Sequence, residues 1–145
     1  MYDQLRLDNQ LCFRFYTVSR LLVQAYKPLL EPLGLSYSEY LVMMVLWEKD
    51  NQLVGDIVRR VGLDTNSLTP LLKRMEAQGL ILRTRGVADG RRTLVTLTRQ
   101  GRELEEQAKD VPACMMKCWR ENPPSNDELM QMMTLVDKLI QSLKQ

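Results

Sequence analysis

The chain has no histidine and only three cysteines in 145 residues. Without histidine, and with so few thiols, both a zinc site and a disulfide framework are disfavoured. An odd cysteine count suits a reducing cytoplasm, where the question is thiol reactivity rather than covalent stapling. Phenylalanine is also scarce, two residues against nine methionines. That balance points to flexible, fillable helix contacts in the core and requires neither a metal nor a haem. No cofactor is expected. Long apolar runs are missing too: the longest, Tyr40 to Trp47, is far too short to span a bilayer. The stretch from Met1 to Gln10 mixes both charge signs and holds no apolar segment. No export signal is therefore expected, and the chain reads as cytoplasmic with no membrane partner.

What is present suits one globular domain, 1–145, with an appended helical platform. The formal net charge is only +2, but it is unevenly spread. Between Asp64 and Arg102, eight basic residues face three acidic ones, a net +5. Basic charge gathered in one segment is the footprint of a phosphate-binding face, although a solvated surface gives the same count.

Apolar periodicity places the first helix from an Asp8 cap to about Tyr26, with Leu11, Phe15, Val18, Leu22 and Tyr26 on one side. Pro28, Pro32 and Gly34 break or kink its end. Ser36 or Ser38 opens a second helix carrying Tyr40, Met43, Met44 and Trp47. Neither helix has a polar face wide enough for a solitary surface helix.

Leu53 to Val61 is short and amphipathic and ends at Gly62. Another helix follows at once, with Leu68, Leu71, Leu72 and Met75 as its buried stripe and Gly79 as its stop. Two short helices joined through Gly62-Leu63-Asp64 form a helix-turn-helix pattern. The next two segments, Leu80 to Arg85 and Thr93 to Thr98, read as strands flanking a turn with Asp89-Gly90. A hairpin in that place is a wing, and the ordered combination is more specific than either piece alone.

Thr98 caps a further helix, Arg99 to about Trp119, bent or interrupted at Pro112. Asn122-Pro123-Pro124 is a break, after which Ser125 begins a last helix. Its stripe of Leu129, Met132, Met133, Val136, Leu139, Ile140 and Leu143 has heptad-like spacing. The expected fold is thus mainly α with a small β-hairpin wing. A winged helix-turn-helix spans 36–98, and helical dimerisation parts occupy 1–35 and 99–145.

In helix-turn-helix proteins the second helix enters the major groove, with residues near its N-terminus meeting the bases. Those residues are Thr65, Asn66, Ser67, Thr69 and Pro70, with Lys73 and Arg74 a turn further on. Hydroxyls and the amide suit bases or phosphates, and Lys73 and Arg74 suit phosphates or guanine edges. Thr69-Pro70 resembles a cap followed by a first helical proline, which would start this helix near Leu68. Starting it at Asp64 instead puts Pro70 inside, with one backbone bond lost. Arg85, Asp89, Arg91 and Arg92 complete the set on the wing, where an arginine can enter the narrow minor groove.

Several segments carry a family resemblance. Asp8-Asn9-Gln10-Leu11-Cys12-Phe13, Tyr37 with Tyr40-Leu41-Val42-Met43, and Val45-Leu46-Trp47-Glu48 are three of them. Leu68-Thr69-Pro70-Leu71-Leu72-Lys73-Arg74 and the wing Asp89-Gly90-Arg91 are the others. Over residues 8–102 the chain resembles the MarR family, in its branch of organic-hydroperoxide-responsive repressors. The resemblance implies a homodimer that binds a palindromic double-stranded DNA operator, with organic peroxide as inducer.

It also implies a role for Cys12. A cysteine on a helix is more often an inert core residue, but Cys12 lies near the start of its helix, where the dipole favours an anionic sulfur. Tyr16 shares its face. In the resembled sensors two tyrosines of the partner subunit hydrogen-bond the reactive thiolate, and they match Tyr26 and Tyr37. Fourteen residues of straight helix, about 21 Å, separate Cys12 from Tyr26, so only a partner chain brings them together. Oxidation to a sulfenic acid is then followed by disulfide formation with a resolving thiol, Cys118 or Cys114. The two lie four apart, on one helical face, and the resemblance places the second family cysteine nearest Cys118.

The expected activity is regulatory, not enzymatic. The main alternative is a MarR-type regulator relieved by a small aromatic ligand, with Cys12 a bystander. A thiol peroxidase lacks support, since nothing resembles an arginine-assisted peroxidatic loop. A protein-binding winged helix leaves the arginine pair without a use.

Overall fold

The computed structural model describes residues 1–86 and 92–144. Helix α1 (Leu11–Leu30) is followed by α2 (Tyr37–Glu48), strand β1 (Gln52–Leu53) and α3 (Val54–Val61). Next come α4 (Thr65–Ala77), β2 (Ile81–Arg85), β3 (Thr93–Leu97) and α5 (Arg99–Ala108). The chain closes with α6 (Val111–Lys117) and α7 (Asn126–Leu143). The architecture is the mainly helical winged helix-turn-helix that the pattern predicts.

Helix α2 forms the middle of the core. Ser36 caps it through the Glu39 N–H at 3.2 Å, and Glu39 returns a carboxylate to the Ser36 N–H at 3.4 Å. This reciprocal pair settles the start between Ser36 and Ser38. Tyr40, Val42, Met43, Val45 and Leu46 of α2 are buried against Ile57, Leu68, Leu72, Met75, Ile81 and Val95. Each such aliphatic side chain, fully buried, contributes about 1.5–3 kcal/mol. Among the described residues no single helix is long and apolar enough to cross a membrane. The pair α1–α2 matches a span in length and composition only, bent by 67°, and α2 is enclosed by its own domain.

Between α3 and α4, Gly62 adopts a left-handed conformation at φ 76° and its N–H closes on the Val58 carbonyl at 2.9 Å. A side chain there would be strained, which is why glycine makes this turn. The sheet has three antiparallel strands in the order β1-β3-β2. Ile81 pairs with Leu97 and Arg85 with Thr93, while Gln52 faces Val95. The hairpin expectation missed β1, a two-residue strand too short to show alternation.

Three local expectations need correction, and one open alternative is settled. Asp8 does not cap α1: it lies in a separate short turn, Leu7–Asn9, and the helix begins after Gln10. Pro28 does not end α1, which runs to Leu30. The proline forfeits one N–H, but burial of Leu30 and the Glu31 N–H bond to the Lys27 carbonyl hold the last turn. The recognition helix starts at Thr65, capped by Asp64, so Pro70 lies inside it. Finally, the helix drawn from Arg99 to Trp119 is two helices, broken after Ala108, with Pro112 second in α6, a first-turn site where its missing N–H costs nothing.

The chain divides into two compact units, Met1–Met115 and Met116–Gln145. In the second, α7 is opened by a capping box of Ser125 and Glu128. Its Met132, Met133, Leu135, Ile140 and Leu143 are exposed. In the first, α1 likewise exposes Leu11, Phe13, Val18, Leu21, Leu22 and Val23. Both stripes are larger than a lone surface helix tolerates. The methionine excess is only partly core: Met43, Met75 and Met115 are buried, and Met130, Met132 and Met133 are not.

Candidate functional site

Helix α4 is held by its cap and its buried stripe. Asp64 Oδ1 accepts the Ser67 N–H at 2.7 Å, and Leu68, Leu71, Leu72 and Met75 fasten the helix to the core. Thr65, Asn66, Ser67, Thr69, Pro70, Lys73 and Arg74 are all exposed. At about 100° per residue they do not share one direction. Asn66, Pro70 and Lys73 lie opposite the buried stripe, the side that faces a groove floor. Thr65 and Thr69 lean towards the sheet. Ser67 and Arg74 occupy the other flank, where Arg74 Nε sits 3.6 Å from Glu39 Oε1 on α2.

A groove of about 400 Å³ runs between α4 and the sheet, lined by Thr65, Thr69, Glu76, Arg83, Arg85 and Thr93. A second of about 400 Å³ adjoins it, lined by Gly55, Asp56, Arg59, Thr65, Arg92 and Thr93. Hydroxyls and guanidinium groups along one channel match what phosphate oxygens require. Thr69 donates its proton to the Thr65 carbonyl at 2.9 Å, so its hydroxyl offers lone pairs outward. Arg85 and Arg92 are exposed. Asp89 and Arg91 lie outside the described residues.

Arg83 ties the sheet to α4. Its backbone N–H donates to Glu76 Oε2 at 2.8 Å and its guanidinium to Oε1 at 3.2 Å. The backbone bond first, then the side-chain bond, holds the Glu76 carboxyl below the usual carboxylate range. Behind the groove, Trp47 Nε1 donates to the Gly101 carbonyl at 2.9 Å. Asp50 Oδ1 accepts the Leu97 N–H at 2.8 Å.

The thiol site begins at the other end of the first unit. Cys12 is the second residue of α1 and is exposed and unpaired. The Gln10 amide positions this helix start, donating to the Gln4 carbonyl at 2.8 Å and the Arg6 carbonyl at 2.9 Å. Arg14 returns to the Gln10 carbonyl at 3.0 Å. Tyr16, a turn on from Cys12, is 68% exposed.

Tyr26 and Tyr37 are brought together, but not to Cys12 of the same chain, since α1 is continuous between Cys12 and Tyr26. Their ring centroids lie 5.0 Å apart, and Tyr40 joins them at 5.9 and 6.3 Å. Burial pushes the Tyr26 hydroxyl up, with Tyr37 adding to it, and burial does the same for Tyr40. Both phenols therefore remain protonated donors at neutral pH. Tyr40 was read as part of an apolar face and of the family resemblance, but not as a member of the thiol site. Its spacing of three from Tyr37 was the available signal for a cluster.

Cys114 lies half-buried on α6, while Cys118 is exposed beyond the helix end at Lys117. The expected shared helical face is therefore absent. Cys114 belongs to the first compact unit and Cys118 to the second.

A family described as transcriptional regulator SarA/Rot matches residues 24–108. The chain belongs to this family. That span covers the end of α1, α2, the helix-turn-helix, the wing and all of α5. Among relatives of this SarA/Rot-family chain is the organic hydroperoxide resistance transcriptional regulator of Bacillus subtilis (strain 168). It is 39% identical over 144 residues, covering 99% of this chain and 96% of the relative. The structure of reduced AbfR bound to DNA superposes with a TM-score of 0.80 at 36% identity, covering 98% of this chain and 96% of that one. Disulfide-formed AbfR gives 0.65 at 37% identity, covering 95% of each. The MarR-type resemblance, and its hydroperoxide branch, is borne out over the whole chain.

Proposed function

We propose that the chain is a redox-sensing transcriptional repressor. It binds a palindromic double-stranded DNA operator as a homodimer and is released when organic peroxide oxidises Cys12. The observation that carries the reading is full-length similarity to a hydroperoxide resistance regulator, joined to an exposed thiol at the start of α1. AbfR, which is solved on DNA in its reduced form and separately as a disulfide, supports a thiol-controlled DNA switch of the same kind.

The face that meets DNA is α4 with the two grooves beside it. Asn66, Pro70 and Lys73 enter the major groove, with Thr65, Ser67 and Thr69 at its edge. Arg85 and Arg92 follow the phosphates, with Arg91 and Asp89 at the wing tip. The unpartnered stripes of α1 and α7 supply the dimer interface. Antiparallel first helices bring Cys12 of one subunit to Tyr26 and Tyr37 of the other, where two phenol donors hold the anionic sulfur.

The chemistry is stoichiometric, so the protein is a regulator and not an enzyme. The Cys12 thiolate attacks one peroxide oxygen; the O–O bond breaks, an alcohol leaves, and sulfur is oxidised to a sulfenic acid. A second thiol, Cys118 ahead of Cys114, attacks that sulfur and expels water, forming a disulfide. The disulfide re-poses the winged domains, and the half-site spacing no longer fits. A reducing cytoplasm restores the thiols. Non-reducing gels after cumene hydroperoxide treatment test the resolving step. An intersubunit disulfide is expected in wild type and Cys114→Ser but not in Cys118→Ser; the reverse pattern reassigns the role to Cys114.

A further inference from the structure

Arg74 was expected among the DNA-contacting residues, and its exposed guanidinium also pairs with a buried carboxylate of its own domain. Its Nε lies 3.6 Å from Glu39 Oε1, and Glu39 is 4% exposed. The other carboxylate oxygen, Oε2, is buried with no hydrogen-bond partner among the described residues. A carboxylate taken out of water in this way needs a countercharge, and removing the partner leaves an uncompensated buried charge. Arg74 is the cation that the structure gives it. Arg74 also stands nine residues beyond Thr65, about 13 Å along the axis, on the flank of α4 turned from the wing.

Glu39 occupies a particular place on α2. It is the third residue of the helix, flanked by Tyr37 and Tyr40 of the tyrosine cluster. One helical turn therefore carries Tyr37, one of the two phenols assigned to the thiol site, and the carboxylate that pairs with the recognition helix. We infer that Glu39 and Arg74 are positioning residues that couple the tyrosine cluster to the pose of α4, with Arg74 acting through Glu39 and not through a phosphate. This inference rests on the redox-repressor reading above. A movement of Tyr37 when the thiol site rearranges shifts the first turn of α2. Glu39 moves with it, and Arg74 carries the shift to the helix that reads DNA.

Glu39→Gln tests this cleanly, because glutamine also serves as the capping-box residue and leaves the start of α2 intact. Operator affinity is measured for reduced and cumene hydroperoxide-treated full-length protein at several salt concentrations. The duplex is taken from upstream of this protein's own coding region. Glu39→Gln and Arg74→Gln are each expected to weaken the reduced protein about 5- to 10-fold, a typical coupling range. The double variant is expected to be no weaker than either single one, and Arg74→Lys to retain most of the affinity. The ratio of reduced to oxidised affinity narrows in Glu39→Gln. The rate of Cys12 sulfenic acid formation, trapped with dimedone, stays at the wild-type value. The salt slope of Arg74→Gln matches wild type.

A salt slope lowered by about one in Arg74→Gln, with additive losses in the double variant, makes Arg74 a direct phosphate contact and overturns the inference. Wild-type affinity and an unchanged ratio in Glu39→Gln overturn it as well. If Glu39→Gln unfolds, the salt slope of Arg74→Gln still decides: a wild-type slope with weakened affinity supports coupling through Glu39, and a slope lowered by about one overturns it. A wild-type protein that ignores peroxide or the operator defeats the repressor reading itself, a separate outcome.

Discussion

Tyr26 of α1 and Tyr37 of α2 meet with ring centroids 5.0 Å apart and planes tilted by 45°. The pair joins the long first helix to the central helix of the domain that carries α4. Burial keeps the Tyr26 hydroxyl protonated well past neutrality, so it is a donor throughout the physiological range. Replacing either residue by Phe removes one donor and keeps the ring contact. Each single variant is expected to slow Cys12 oxidation by cumene hydroperoxide about tenfold, roughly one charge-assisted hydrogen bond of 1.5 kcal/mol. Stopped-flow thiol oxidation checks this, with thermal unfolding to verify that the fold is kept.

Arg85 and Asn66 should fail differently on DNA. Arg85 lines the groove with the hydroxyls of Thr65 and Thr69, whereas Asn66 points away from the core. Arg85→Ala is expected to weaken all duplexes alike and lower the salt slope by about one. Asn66→Ala is expected to cost about 1–3 kcal/mol on the operator and little on random DNA. Fluorescence anisotropy against both duplexes at varied salt separates the two patterns.

Gly101 is a packing requirement. A Cβ there would lie 2.2 Å from the Leu80 carbonyl oxygen, and the Gly101 carbonyl already accepts from Trp47. The obstruction is backbone, so it cannot rotate aside. Gly101→Ala is expected to destabilise the domain by about 2 kcal/mol or more, read as a lower urea midpoint.

Glu76 makes an acid-side prediction. Its carboxyl titrates lower in the folded state than in the unfolded chain because Arg83 hydrogen-bonds the anion. A depressed carboxylate stabilises the fold above its unfolded pKa and loses that contribution as pH falls through the folded value. Wild type is therefore expected to exceed Glu76→Gln in stability at neutral pH, with the gap closing in the acid range below the ordinary glutamate value. Urea midpoints from pH 7 to pH 3 follow it.

The winged helix-turn-helix was legible in the sequence because each element carries its own marker. Gly62 and Gly79 stop α3 and α4, the segment Thr93–Thr96, rich in β-branched residues, marks a strand, and the apolar stripe of α4 repeats at helical spacing. The Ser36–Glu39 capping box was also written there, although its three-residue spacing was not used to choose between Ser36 and Ser38. Pro28 misled, and Pro70 left two helix starts open, for a common reason. A proline costs a helix one hydrogen bond, and tertiary burial of Leu30, Leu71 and Leu72 outweighs it. The Glu39–Arg74 and Glu76–Arg83 pairs were illegible, since each joins residues that only the fold places together. For the thiol site the family resemblance named Cys12, Tyr26 and Tyr37, and the fold brings the tyrosines together while leaving Cys12 exposed.

The central claim is that operator release runs through oxidation of Cys12. It is tested most directly by gel-shift binding of wild type and Cys12→Ser to the upstream duplex, with and without cumene hydroperoxide. Wild type is expected to bind when reduced and release on oxidation, whereas Cys12→Ser binds in both conditions. Release of Cys12→Ser at the same peroxide concentration would contradict the claim and favour a regulator in which Cys12 is a bystander.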